Sequence, residues 1–167
     1  MHFFTSKKVK HRLEFSSLSQ CKECSLLAAK WAESEWGYIR NKGIDFRQKI
    51  LLRIQDYLYI GFYAREPVAM FALIPKHFAK EIIASQAYPL NVFELMYVFV
   101  DKRFRGLGFG KCIVDHAKEL ARANNADVIS FDTLKPSLNR FYEIQGAKMI
   151  GQGNLYSEPT DMFYISI

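Results

Sequence analysis

No apolar run in the sequence approaches the ~20 residues that a membrane-spanning helix needs. The opening Met1-His-Phe-Phe-Thr-Ser also lacks the apolar core of a secretory signal, so a soluble, cytoplasmic protein with no membrane partner is expected. Cysteine is scarce. Cys21, Cys24 and Cys112 form an odd set without spaced pairs, which suits a reducing compartment and offers no disulfide framework. Cys21-Lys-Glu-Cys24 has the spacing of half a zinc site, but no second Cys/His pair follows at usable distance. The pair therefore reads as two small residues on a helix, and no metal is expected. Low-complexity linkers and internal repeats are missing as well.

What is present is a chain of 167 residues, half of them hydrophobic, enough for one good core and short for two. We read residues 1–167 as a single domain. The formal charge is +6, with part of it concentrated in Lys7-Lys-Val-Lys-His-Arg12. Clustered base is the electrostatic footprint of a nucleic-acid binder. That reading ranks below the one developed next, because the run is short and no helix-turn-helix or aromatic-interleaved RNA motif accompanies it.

The most informative stretch runs from Glu94 to Lys111: a hydrophobic strand, then Asp-Lys-Arg-Phe-Arg-Gly-Leu-Gly-Phe-Gly-Lys, then an amphipathic helix. Gly106, Gly108 and Gly110 have no Cβ to obstruct a ligand and permit backbone angles that aim successive N–H groups into one concavity. The helix N-terminus behind them adds unpaired donors and a positive dipole end, and Arg103, Arg105 and Lys111 add charge. The whole describes an anion seat suited to a pyrophosphate. It is not a Walker A loop, since Arg105 stands where the first glycine belongs and Cys112 where Ser or Thr belongs. Nor is it the dinucleotide fingerprint, because Lys111 takes the place of the last glycine.

Arg105-x-x-Gly108-x-Gly110 after a strand that begins with an acid resembles the acetyl-coenzyme A loop of the GCN5-related N-acetyltransferases (GNAT family). A second stretch, Asn139-Arg-Phe-Tyr-Glu-Ile-Gln-Gly-Ala147, is similar to that family's later helix, written Phe-Tyr-Glu-x-x-Gly-Phe. The resemblance extends from about residue 10 to the end and implies an α/β fold with a central mixed sheet flanked by helices. It implies acetyl-CoA as cosubstrate, with the pantetheine along Val98, Phe99 and Val100 and the pyrophosphate in Arg103, Arg105, Gly106, Leu107, Gly108, Phe109, Gly110 and Lys111. It implies Tyr142 as the acid that protonates the leaving thiolate and Glu94 as the base that relays the amine proton. The family often places Asn seven residues before this Tyr; here Lys135 stands there, with Asn139 as a substitute amide, and Ala147 replaces the usual Phe. The acceptor implied is a small-molecule or peptide amine, with no nucleic-acid partner. Oligomeric state is left open, a homodimer included.

Two other readings compete: a CoA-binding regulatory module without turnover, and the basic nucleic-acid binder. Periodicity predicts a first strand over Arg12–Phe15, a helix capped by Ser19 and ending at Gly37, and a helix over Asp45–Ile54. It further predicts a hairpin of Tyr57–Tyr63 with Val68–Ile74, a central strand Phe93–Val100 and a helix after the loop stopping at Asn124-Asn125. A strand Val128–Asp132 parallel to the central one, a helix Ser137–Gln145 and closing strands at Lys148–Ile150 and Met162–Ile167 complete the chain. Alternation sets Tyr97 on the face opposite Glu94, as packing. His116 reads as a helix-surface residue and His77 as a reserve base. The long segment 75–91, with Phe78, Ile82 and Ile83, is expected to shape the acceptor site together with Trp31, Trp36 and Tyr38.

Overall fold

A computed structural model describes residues 12–76 and 90–167. His77, the Phe78-Ile82-Ile83 face and most of the Lys7–Arg12 basic run lie outside the described residues.

The element order is β1 (Glu14–Ser17), α1 (Ser25–Arg40), α2 (Ile44–Arg53), β2 (Leu58–Tyr63), β3 (Glu66–Lys76), β4 (Val92–Val100), α3 (Phe109–Ala123), β5 (Val128–Thr133), α4 (Asn139–Ile144), β6 (Lys148–Leu155) and β7 (Glu158–Ser166). The strands form one sheet in the order β1-β2-β3-β4-β5-β7-β6. Every neighbouring pair is antiparallel except β4 and β5, which run parallel across the α3 crossover. The mixed α/β fold expected from the sequence is the one observed.

Helices cover both faces, which is why β3 is an unbroken apolar run, buried from Val68 to Leu73 rather than alternating. On one face Trp31, Ala28 and Ala32 of α1 and Leu51 of α2 pack with Leu58, Ile60, Met70 and Phe99. On the other, Phe109, Ile113, Val114, Ala117 and Ala121 of α3 and Tyr142 of α4 meet Phe71, Phe93, Leu95, Phe131 and Phe163.

The start of the first helix differs from expectation. Ser19 caps nothing; it sits in a short 3₁₀ turn with its hydroxyl 2.8 Å from that of Ser17. Cys21 lies between the two 3₁₀ turns that precede α1 and Cys24 ends the second, both buried with free thiols, and the Cys21 thiol donates to the Ser17 carbonyl. Burial drives the Cys21 thiol up to about 12 and also raises that of Cys24. At the other end α1 runs through Gly37 to Arg40 and is stopped by Asn41, whose left-handed backbone (φ 51°) returns its N–H to the Gly37 carbonyl. His116, expected on the helix surface, is only 30% exposed. Its ring stacks on Phe15 at 4.5 Å and meets the edges of Tyr59 and Phe71 between α3 and the sheet.

The decisive local feature is a bulge in β4. Met70 pairs with Phe99 and Ala72 with Met96, so Phe71 alone opposes Tyr97 and Val98. Tyr97 takes the left-handed conformation (φ 53°) that lets the extra residue fit. The alternation therefore inverts at this point. Phe93 and Leu95, then Val98 and Val100, face α3, while Met96, then Tyr97 and Phe99, face α1. Tyr97 thus shares the face of Glu94, contrary to the alternation rule applied to an unbroken strand. Parallel pairing of β4 with β5 ends at Glu94–Ser130. Beyond that the two strands part.

Candidate active site

The parting of β4 from β5 opens a cavity of about 370 Å³ between them. Its walls come from both faces of the sheet: Glu94, Met96 and Tyr97 from the α1 side, and Leu95, Val98 and Tyr142 from the α3 side. Trp36 and Tyr38 of α1, Arg47 of α2 and Tyr156 of the β6–β7 turn close the α1 side. Trp31 is absent from the lining and stacks in the core on Phe99 at 5.4 Å.

At the foot of α3, Gly106 and Gly108 both have positive φ, 82° and 85°. A Cβ built on either would meet no atom within 4 Å, so the loop forms an open cradle against a 15-residue helix's N-terminus. Phosphate oxygens fit such a cradle because its donors are backbone amides reinforced by the helix dipole. Gly110 has a different reason to be glycine. It lies in the first turn of α3, where a Cβ would stand 3.3 Å from the ring of Phe141 on α4.

The cations around the loop have separate partners. Arg103 is 3.0 Å from Glu66 and 3.1 Å from Asp101, and the bond from Arg103 holds the Asp101 carboxyl below its usual range. Lys111 pairs with Asp115 at 2.6 Å, one helical turn on. Arg105 makes no ion pair among the described residues; its Nε donates to the Val100 carbonyl at 2.9 Å and its guanidinium stacks over Phe99. Leu107 is exposed, whereas Phe109 is buried, leaving only its backbone to face the loop.

Tyr142 is 7% exposed, its ring between Phe131 (4.6 Å) and Phe141 (5.0 Å). Burial alone pushes its phenol up to about 12. Glu94, one-third exposed, lies 3.8 Å from the Lys76 ammonium. Asn139 is engaged at both ends: its Oδ1 accepts from Thr133 at 2.7 Å and its Nδ2 donates to Asp161 at 2.8 Å, bracing α4 against β5 and β7. One amide hydrogen remains for any ligand.

Sequence reasoning passed over Arg47 and Glu35. Arg47, 5% exposed, donates to Glu33 (3.2 Å), to the Tyr97 hydroxyl (3.2 Å) and to the Trp36 carbonyl (3.4 Å). The readable signal was a charged residue four positions before buried Leu51, on the inward stripe of α2. Glu35 lines the cavity and holds Lys135 at 2.6 Å across it.

A mixed sheet splayed at its parallel pair, with a glycine cradle on the crossover helix, is the arrangement that the sequence resemblance implies. The sequence model of the Acetyltransferase (GNAT) family matches residues 24–147, and the chain belongs to that family. No curated protein matches the sequence significantly. Among solved structures, an aminoglycoside 6'-N-acetyltransferase complexed with coenzyme A superposes with TM-score 0.72 at 14% identity, covering 92% of this chain and 96% of that one. A GNAT-family acetyltransferase from Staphylococcus aureus Mu50 gives 0.66 at 20% identity, covering 92% and 98%. A chain of the NatC complex bound to Gag peptide and CoA gives 0.69 at 15%, covering 93% and 99%. At these identities the likeness is one of fold.

Proposed function

We propose that the protein is an N-acetyltransferase that moves the acetyl group of acetyl-CoA to a primary amine by direct attack. The observation that carries this is the cavity between the splayed strands, where Glu94 and Tyr142 line walls contributed by opposite faces of the sheet. CoA in the aminoglycoside acetyltransferase and NatC structures supports the donor.

Acetyl-CoA, when bound, supplies the acetyl group as a thioester. The backbone at Gly106, Gly108 and the first turn of α3, with Arg105, would hold its pyrophosphate. The edge of β4 left unpaired beyond Glu94, at Val98 to Val100, would lie along the pantetheine and offer N–H groups to the carbonyl. Glu94 accepts the proton that an ammonium must lose before it can attack and passes it outward beside Lys76. Tyr142 is fully protonated at neutral pH, because burial holds its phenol far above that range. A thiol ionises near 8.5, so complete transfer from Tyr142 to a thiolate is uphill, rather than the balanced exchange an ordinary phenol would give. Its part is then to donate a hydrogen bond to charge developing on sulfur.

The test is thiol release from acetyl-CoA over a panel of amines, peptides and aminoglycosides, with acetyl-CoA binding measured separately by calorimetry. Binding without turnover on any amine would favour a regulatory module, and salt-sensitive retention on DNA or RNA without CoA binding would favour the nucleic-acid reading.

A further inference from the structure

The position where this family often carries an asparagine is Lys135, and the structure gives that lysine a place. Its ammonium reaches across the cavity from the loop after β5 to the Glu35 carboxylate on α1, at 2.6 Å and a separation of 100 residues. The two partners are unequal. Glu35 is 20% exposed on a helix held by the core, whereas Lys135 is 54% exposed on a long flexible stem. A half-exposed lysine gains little from such a pair and is readily displaced. Glu35, the less exposed partner, keeps its place on the helix when the lysine leaves and presents its carboxylate to a cation entering the cavity.

The surroundings favour one. Trp36 and Tyr38 follow Glu35 on α1 and line the same cavity, as does Tyr156, whose ring already carries the Arg40 guanidinium at 5.1 Å. Aromatic faces attract ammonium groups. The lining holds two more carboxylates, Glu94 and Asp132, and two further cations, Arg40 and Arg47. Asp132 accepts from the Thr160 hydroxyl at 2.7 Å, Arg47 is paired with Glu33, and Arg40 lies over the rings of Phe46 and Tyr156. With Lys135 swung out to solvent, Glu35 and Glu94, the latter 3.8 Å from Lys76, are the carboxylates left to meet two ammonium groups.

We propose that Lys135 occupies, in the resting protein, the seat of a second cationic group of the acceptor, and that the preferred acceptor is a diamine. One ammonium replaces Lys135 on Glu35 and stays charged. The other loses its proton by way of Glu94 and attacks the thioester carbon; the C–N bond forms, the C–S bond breaks, the nitrogen sheds its second proton and the departing thiolate takes one up from solvent, giving the mono-N-acetylated diamine and free CoA thiol. This rests on the acetyltransferase reading above. Glu35 is then a specificity-determining residue, and Lys135 an internal competitor for its site.

The experiment compares initial rates for 1,3-, 1,4- and 1,5-diaminoalkanes with monoamines of equal chain length, in wild type, Glu35→Gln, Lys135→Gln and Lys135→Arg. The expected result is a diamine preference in kcat/KM of about tenfold or more, as one charge-assisted contact provides. Glu35→Gln should abolish that preference by raising KM for the diamine. Lys135→Gln should lower the same KM several-fold, while Lys135→Arg keeps the competitor and stays near wild type. Opposite signs for the two glutamine variants are what a brace between α1 and the β5–α4 loop would not give. The inference is overturned if both variants raise KM together, if monoamines match diamines, or if the preference survives in Glu35→Gln. Acetyl-CoA binding with no acetylation in either arm would sink the diamine inference alone. Failure to bind acetyl-CoA would sink the donor reading, and this inference with it.

Discussion

The ring of Phe141 stands 3.3 Å from where a Cβ on Gly110 would be, so the glycine loop and the Phe-Tyr-Glu stretch are two sides of one contact. The residue after Phe141 is Tyr142, whose ring leans on it at 5.0 Å. Crowding Gly110 therefore acts on the cavity wall through α4. Gly110→Val should destabilise the fold by about 1–3 kcal/mol through overpacking. Combining it with Phe141→Leu should recover part of that cost, because the smaller side chain yields the space. A double-mutant cycle in urea measures this; strictly additive losses would show that the two residues do not act on one another.

Gly108 makes the opposite prediction. Its Cβ direction is empty of protein, but its φ of 85° strains any other residue. Gly108→Ala should cost about 1–2 kcal/mol of stability from backbone strain alone. Its methyl would project into the cradle, so acetyl-CoA affinity should fall more than stability does, by about tenfold or more. Calorimetric titration at a temperature where the variant is fully folded separates the two. Unchanged affinity there would remove the loop from the binding site.

The elements that were legible in the sequence are those specified by pattern. The apolar runs of β3 and β4, the glycine cradle and the 3.6-residue stripe of α3 each have one physical reading. What was not legible depends on partners distant in sequence. The bulge at Tyr97 carries no glycine to announce it; it exists because Met70 and Ala72 of β3 fix the register on either side. That single residue inverted the expected face of Tyr97 and brought its hydroxyl to Arg47. Gly37 looked like a helix stop and is not one, since the Glu33 side chain packs where its Cβ would be, and Asn41 does the stopping. Glu35 and Lys135 are a hundred positions apart, and no spacing rule reaches that far.

His116 gives the fold an acid-side sensitivity. Burial against Phe15 lowers its affinity for a proton, with Glu119 at 3.6 Å partly opposing. The sign follows from linkage: the unfolded chain takes up a proton near pH 6.5 that the folded chain resists. Stability from this group is complete above that pH and is lost as pH falls through the lower folded value. His116→Phe keeps the stacked ring without the titration, so the drop in urea midpoint between pH 7.5 and pH 5.5 should be smaller than in wild type. An identical drop would assign the acid sensitivity to other groups.

Tyr142 has the reverse linkage and a catalytic consequence. Its phenol is raised from 10 to about 12 by burial, so the protonated form is the one the fold prefers. That contribution is intact below pH 10 and disappears as pH rises through the folded value. The same shift keeps the hydroxyl a donor throughout the working range. kcat should therefore show no descending limb near pH 10, where an exposed tyrosine would ionise. Tyr142→Phe retains the ring between Phe131 and Phe141 and should leave the fold and acetyl-CoA binding intact. It should lower kcat by roughly 10²-fold, the usual scale for losing one positioned donor or acid. Full activity in that variant would reduce Tyr142 to a packing residue that donates no hydrogen bond to the departing sulfur.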